Sequence, residues 1–328
     1  MMDSYLFPYA LIFLLTLVLT VFVGRLIIPY LKKCAEQPIY TEGPSWHIAK
    51  SGTPTMGGLS FVFSISTVLL LVVLYKYLAK DTFGVLSLLI CLIYALLNST
   101  IGVIDDLTKL RHNKNAGLTP RTKLILQFIS SMLFLIARNI FLNDNKILSF
   151  RFIEIDTKFF YYIISLIILV GITNCANLTD GVDGLASSVA FGIGISIFYL
   201  SYLRFNTASI ISISLSAATL GFLFFNVHPA KIFMGDTGSL FLGSLIAALA
   251  FEMQNPFIAV ISSSVYVIEG ISVILQVAFY KMTKRRLFKM APIHHHLEKC
   301  GWDENKICLC ALILTLISTV GVIYVCNQ

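Results

Sequence analysis

Charged side chains are scarce in this chain: Asp, Glu, Lys and Arg supply 12% of 328 residues, while hydrophobic residues supply 57%. Soluble globular proteins carry about 25% charged and roughly 45–50% apolar residues. The deficit therefore excludes disorder, a coiled coil and an ordinary cytosolic enzyme. Low-complexity linkers and internal repeats are also missing, so residues 1–328 read as one integral membrane domain. Cysteine supplies no framework. The seven (34, 91, 175, 300, 308, 310 and 326) are odd in number and lack metal-ligand spacing, and they read as free packing residues. The net charge of +7 comes with no basic arm or aromatic-interleaved patch, which argues against a nucleic-acid partner. A cleavable leader is not expected, because Asp3 stands where a basic segment would and no A-x-A site follows the long first apolar run.

Long hydrophobic runs are abundant. A helix crossing a hydrocarbon core of ~30 Å needs about 20 apolar residues. Ten candidate runs occur: Tyr5–Leu31, Met56–Tyr77, Gly84–Ile104, Leu124–Leu142, Phe159–Asn174, Val182–Leu203, Ala208–Asn226, Gly238–Phe251, Pro256–Tyr280 and Ile307–Cys326, the fifth and eighth being short. The expectation is an all-α, polytopic membrane protein of about ten transmembrane helices with both termini on one side. Loops after odd-numbered runs hold sixteen basic residues, and those after even-numbered runs hold seven, Arg138 among them. The positive-inside rule then puts the odd loops in the cytoplasm and both termini outside.

The polar, Gly- and Asp-rich segments are 43–58, 105–123, 174–186, 226–239 and 291–304, and all five follow odd-numbered runs. A transporter would place its ionisable residues near the midplane. Here only Glu269, and less clearly Arg25, lie well inside a run. This points to chemistry at a cytoplasmic membrane surface. Asp105 and Asp106 end the third run, where carboxylates oppose the helix macrodipole at a cost of roughly 0.3–1 kcal/mol each. Lys109, at i+4 and i+3, or a divalent ion would offset that cost; the alternative is a hydrated turn. Asn177, Asp180 and Asp183 recur every three residues, one face of a helix, and offer oxygens for Mg²⁺ or for proton handling. N-capping would explain one of these aspartates.

Gly235-Asp236-Thr237-Gly238-Ser239 opens the eighth run, and the free amides of such a helix start suit a phosphate, although a capping turn has the same composition. His294, His295 and His296 point about 100° apart on a helix, so one ion could not recruit all three. They read as donors to phosphate or sugar oxygens, or as surface packing. The preceding stretch 281–290 carries five basic residues, suited to headgroup adhesion or to drawing in a phospholipid substrate. Lys50, Thr53 and Thr55 could donate to an anion in the first loop. Buried Glu269 would cost at least ~2.5 kcal/mol if unpaired, so it is expected to be protonated or to have a polar partner. Metal-assisted phosphoryl transfer from a nucleotide-type donor to a lipid acceptor fits this inventory.

The segments GTPTMGG (52–58), IDDLTK (104–109), NLTDGVDGLA (177–186), IFMGDTGSLFLG (232–243) and PIHHHLEKCGWDE (292–304) follow one another as in the phospho-N-acetylmuramoyl-pentapeptide transferases, which the chain resembles along nearly its whole length. The first four mark the wider superfamily of polyprenyl-phosphate sugar-1-phosphate transferases. The histidine segment with GWDE is the most specific. Ser45-Trp46 before His47 and Val227-His228 before Pro229 are small departures. The resemblance implies Mg²⁺-dependent transfer of phospho-MurNAc-pentapeptide from UDP-MurNAc-pentapeptide to undecaprenyl phosphate, releasing UMP. It further implies a homodimer in the bacterial cytoplasmic membrane and a bent ninth helix beside a lipid groove. It makes Asp236 the main Mg²⁺ ligand, with Asp105, Asp106 and Asp180 around the reacting phosphates. Asn177, Asp183 and Phe233 would lie near uridine and phosphate, and Lys50, Thr55, Lys109, Lys123, His294, His295 and His296 would be further substrate contacts. A sister transferase using UDP-N-acetylglucosamine and a lipid or nucleotide-sugar transporter are the alternatives. An aspartate could deprotonate the lipid phosphate or form a covalent intermediate; a phosphomonoester already carries about −1.5 to −2 charge, which favours direct attack.

Overall fold

The computed structural model describes residues 2–34, 50, 52–112, 117–143, 147–150, 153–156, 158–202 and 206–326. Ser45, Trp46 and His47 lie outside them. The described residues form twelve helices and one two-stranded ribbon. In chain order these are α1 (Met2–Cys34), α2 (Leu59–Leu78), α3 (Thr82–His112), α4 (Pro120–Phe141), β1 (Ile147–Phe150), β2 (Ile153–Asp156), α5 (Lys158–Thr179), α6 (Leu185–Ser201), α7 (Thr207–Asn226), α8 (Gly235–Glu252), α9 (Phe257–Ser262), α10 (Ser264–Thr283), α11 (Ile293–Glu298) and α12 (Glu304–Cys326).

Eight of these helices, α1–α5, α7, α10 and α12, are long and apolar enough to cross a membrane. The two expected runs that fall short are α6, of 17 residues, and α8, of 18. Both lie in the protein interior. Every residue of α8 from Thr237 to Phe251 is buried, and a helix shielded by protein rather than lipid can carry the Gly, Ser and Thr that lower its hydropathy. The fifth run is longer than expected: α5 reaches Thr179 because Thr173 and Asn174 return their side chains to the carbonyls of Leu169 (2.7 Å) and Val170 (2.8 Å). The ninth run breaks at Ser263, which leaves helical geometry between α9 and α10. The ribbon was not anticipated. Its antiparallel register pairs Ile147 with Asp156 and Phe150 with Ile153.

The most extensive pairings are α3 with α8 and α6 with α7. The first depends on Gly102, where a Cβ would lie 2.2 Å from the Asp236 carbonyl oxygen, so α3 and α8 touch backbone to backbone. At the far end of α8, Glu252 is buried against Arg138 of α4, and Arg138 Nη2 also donates to the Phe251 carbonyl at 3.0 Å. Arg138 is thus an interior cross-link rather than the loop cation expected above. α4 starts sharply because the Thr119 hydroxyl accepts the Thr122 N–H at 3.2 Å and Pro120 occupies the first turn. That start fixes Lys123 one turn in.

Candidate active site at the junction of α3, α4 and α8

Asp105 and Asp106 do not end a helix. α3 continues to His112, so the expected macrodipole penalty does not arise. Asp106, 2% exposed, turns toward α8. Its Oδ1 accepts the Asp236 N–H at 3.1 Å, and its Oδ2 accepts the Thr237 N–H at 2.9 Å and the Thr237 hydroxyl at 2.7 Å. The residue preceding α8, Met234, offers no side-chain cap. Asp106 is therefore an N-cap supplied by another helix, with its negative charge at the positive end of the dipole. This corrects the expectation of free amides awaiting a phosphate: a carboxylate already takes the second and third.

Asp105, 1% exposed, accepts the Leu118 N–H at 2.8 Å. Its Oδ2 lies 2.7 Å from Lys109 Nζ yet forms no well-aligned hydrogen bond. Asp236 is the hub. Its Oδ2 accepts from Lys109 at 3.0 Å and Lys123 at 2.6 Å, and its Oδ1 accepts from Asn177 Nδ2 at 2.7 Å. Asn177 also donates to Ser239 Oγ at 2.7 Å. Lys123 lies 3.4 Å from Asp105, and Lys109 lies 3.9 Å from Asp106. Carboxylate oxygens of Asp105, Asp106 and Asp236 all lie within 4.8 Å of one another. Three carboxylates against two ammoniums leave one excess negative charge. The hard, all-oxygen donor set and the poorly satisfied Asp105 Oδ2 fit a cation of the Mg²⁺ class. Asp106, already committed to three hydrogen bonds, is the weakest donor of the three.

The supposed stripe of Asn177, Asp180 and Asp183 is divided. Asn177 belongs to the last turns of α5, whereas Asp180 and Asp183 lie in the turn before α6. Burial first, then Asp236, Asp106 and Asp183, hold the Asp180 carboxyl well above the usual carboxylate range. Asp183 joins a second cluster. Its Oδ1 accepts from Lys50 Nζ at 2.7 Å, and its Oδ2 accepts the Ala230 N–H at 3.0 Å and faces His228 Nδ1 at 3.0 Å. Glu304 takes the other side of Lys50 at 2.7 Å and lies 3.3 Å from His228. Burial alone would lower the Lys50 pKa, but its hydrogen bonds to Asp183 and Glu304 outweigh this and raise it. Sequence reasoning passed over Glu304 and His228. Their signals were a carboxylate in the first turn of α12 and a titratable residue beside Pro229.

Backbone pairing brings Thr55 and Phe233 to the cluster. Phe233 N–H donates to Pro54 O at 2.9 Å, and Gly57 N–H returns to Phe233 O at 2.8 Å. Thr55 is buried, and its hydroxyl faces Gly235 beside Asp106. The three histidines diverge on α11 as their spacing demands. His294 is fully buried against Glu269, the expected polar partner, with Nδ1 3.1 Å from Oε2. His295 Nδ1 meets Glu298 at 2.6 Å, and His296 Nδ1 accepts the Lys289 N–H at 3.1 Å.

Residues 85–254 match the model of glycosyl transferase family 4, and residues 50–62 match phospho-N-acetylmuramoyl-pentapeptide-transferase signature 1. Among curated relatives, the phospho-N-acetylmuramoyl-pentapeptide-transferase of Clostridium botulinum is 40% identical over 299 residues, covering 90% of this chain and 89% of that protein. The enzyme so named from Carboxydothermus hydrogenoformans is 40% identical over 307 residues, 90% and 91% of the two chains. That of Rickettsia prowazekii is 35% identical over 336 residues, 95% and 90%. Identity of this extent, spanning every element of the aspartate–lysine cluster, places the chain in the phospho-N-acetylmuramoyl-pentapeptide transferase family.

Proposed function

We propose that this protein transfers phospho-MurNAc-pentapeptide from UDP-MurNAc-pentapeptide to undecaprenyl phosphate, releasing UMP and forming the first lipid intermediate of peptidoglycan synthesis. The observation that carries the reading is the meeting of Asp105, Asp106 and Asp236 with Lys109 and Lys123, in a chain of this family. The working form is a homodimer in the bacterial cytoplasmic membrane. The site faces the cytoplasm, because sixteen basic residues follow the odd-numbered runs on its side against six on the other once the interior Arg138 is set aside.

Each residue has a role that its position supports. Lys123 and Lys109, now neutralising Asp236 at 2.6 and 3.0 Å, are placed to accept the donor pyrophosphate and the acceptor phosphate instead. Asp236 and Asp105 would hold Mg²⁺, which supplies charge neutralisation at the pyrophosphate and the departing UMP. Asp106 acts from behind by fixing the first turn of α8 and hence the Asp236 carboxylate. The acceptor phosphomonoester carries about −1.5 to −2 charge near neutrality and needs little further activation. Direct attack is favoured, with Asp105 orienting the acceptor. Lys50 and Asp183, with Phe233 on the neighbouring strand of backbone, form the polar end that suits uridine. Of the diverging histidines on α11, His295 and His296 would meet the sugar and its peptide, with the buried His294 behind them.

Purified protein incubated with UDP-MurNAc-pentapeptide, undecaprenyl phosphate and Mg²⁺ should release UMP and form a lipid-linked product. Turnover with UDP-N-acetylglucosamine alone would assign a sister transferase. Binding without UMP release would assign a transporter and overturn the proposal.

A further inference from the structure

Glu269 lies inside α10, 2% exposed, where a lone carboxylate would be costly. Its partner comes from a different element. Oε2 accepts the His294 backbone N–H at 3.3 Å and lies 3.1 Å from His294 Nδ1. One oxygen thus touches both ends of the same residue, its backbone and its ring. The ring is wholly buried, and its centroid lies 4.2 Å from that of His295. Neither ring nitrogen makes a well-aligned hydrogen bond, and Nε2 is the one turned away from Glu269. It points at Gly181, where an added Cβ would lie 2.4 Å from Nε2 and 3.0 Å from Cε1. Gly181 is the residue after Asp180, in the turn between α5 and α6. A buried ring without hydrogen bonds of its own is kept in place by what packs around it, here Glu269 on one side and Gly181 on the other.

The geometry points to Glu269 as a positioning residue that grips His294 by its backbone N–H and lies beside Nδ1, and so seats the imidazole against Gly181 and with it the start of α11 beside the sugar-phosphate part of the donor. This rests on the transferase reading above. A carboxylate that takes the residue's backbone N–H and lies beside its ring fixes where that ring sits. Glu269 touches no substrate; its effect passes through His294.

The test compares Glu269→Gln, Glu269→Ala, His294→Ala and the double variant Glu269→Ala/His294→Ala in lipid nanodiscs. UMP release gives kcat and KM, calorimetric titration with UDP-MurNAc-pentapeptide gives donor affinity, and thermal unfolding checks the fold. His294→Ala is expected to lose about 10²-fold in kcat/KM, the scale of a misplaced contact group. Glu269→Ala should match it within about threefold, and the double variant should be no worse than His294→Ala, because residues acting as one unit are non-additive. Glu269→Gln keeps an acceptor oxygen and should recover at least about tenfold over Glu269→Ala. Multiplying losses in the double variant, or Glu269→Ala activity near wild type, would overturn the proposal. So would a loss in Glu269→Ala that follows its unfolding temperature alone. If the wild type binds the donor but releases no UMP, the transferase reading fails. The same four proteins then test the positioning through donor affinity, where additive losses would refute it.

Discussion

Asp106→Asn separates the role of Asp106 from that of its neighbour Asp105. The two Asp106 oxygens accept three hydrogen bonds, from the amides of Asp236 (3.1 Å) and Thr237 (2.9 Å) and from the Thr237 hydroxyl (2.7 Å). An asparagine has one oxygen, so its NH₂ must confront an amide N–H in either rotamer. Leaving that buried donor unsatisfied costs about 1–3 kcal/mol. Loss of the charge at the helix end adds roughly 0.3–2 kcal/mol. Relief of repulsion with Asp236 and Asp105 returns part of this, so a net loss of about 2–4 kcal/mol is expected. Asp105→Asn removes less: its remaining oxygen can still accept the Leu118 N–H, now at 2.8 Å, and the cost should stay within about 1 kcal/mol. Thermal unfolding of detergent-purified protein, read beside UMP release, distinguishes them. Asp106→Asn should lower the unfolding temperature and turnover together, while Asp105→Asn should lose turnover at a near-normal unfolding temperature. An Asp106→Asn protein as stable as wild type would refute the capping argument and return Asp106 to the reacting groups.

Three further outcomes are expected. Asp236→Asn removes the charge that a hard cation needs and should lose nearly all turnover while uridine contacts preserve weak nucleotide binding; normal turnover at ordinary Mg²⁺ would exclude Asp236 as the ligand. A membrane-impermeant thiol reagent should reach a cysteine placed near Thr108 only from the inner side and one near Asn145 only from the outer side, and reversed labelling would overturn the orientation. Asp180→Asn should raise the unfolding temperature at pH 7 in chelator while lowering turnover. The folded carboxyl titrates above its ordinary value of 3.8, so the folded state binds more protons than the unfolded one in that window. Stability then falls as pH rises from 3.8 through the folded pKa; an amide escapes that loss. An unchanged unfolding temperature at pH 7 would refute this sign.

Helix positions were legible because lipid imposes a simple rule: backbone polar groups must be satisfied within the segment, so long apolar runs become helices. The rule weakens where protein replaces lipid. α6 and α8 lie inside the bundle, and there Gly, Ser and Thr serve close packing rather than solvation, as Gly243 of α8 does against the Thr173 backbone. Hydropathy therefore understates two interior helices, among them α8, which carries Asp236. The early end assigned to the fifth run has the same origin. Polarity at Thr173 and Asn174 signalled a terminus, but their side chains, bonded back to their own helix, let α5 continue.

The site was legible as an inventory but not as a set of partners, and the difference is tertiary. Spacing placed Lys109 correctly one turn after Asp105, since an i, i+4 pair depends only on the local helix. No local rule could tell that Asp106, one residue further round the same helix, faces α8 and caps it, or that Asn177 and Asp183 serve different clusters despite their spacing of six. Capping across helices carries no sequence signature, because donor and acceptor lie 130 residues apart. The consequence reaches the chemistry. Asp236 stands in the first turn of a helix whose start is held by Asp106, so its direction is fixed by backbone rather than by its own rotamer. Lys109 and Lys123, on two other helices, then converge on that fixed carboxylate. A site assembled in this way orients its charges before substrate arrives, which is the condition under which electrostatic stabilisation is most effective. Lys50 and His294 stand apart from that frame, because each meets its own carboxylate, Glu304 or Glu269, outside the cluster of Asp105, Asp106 and Asp236.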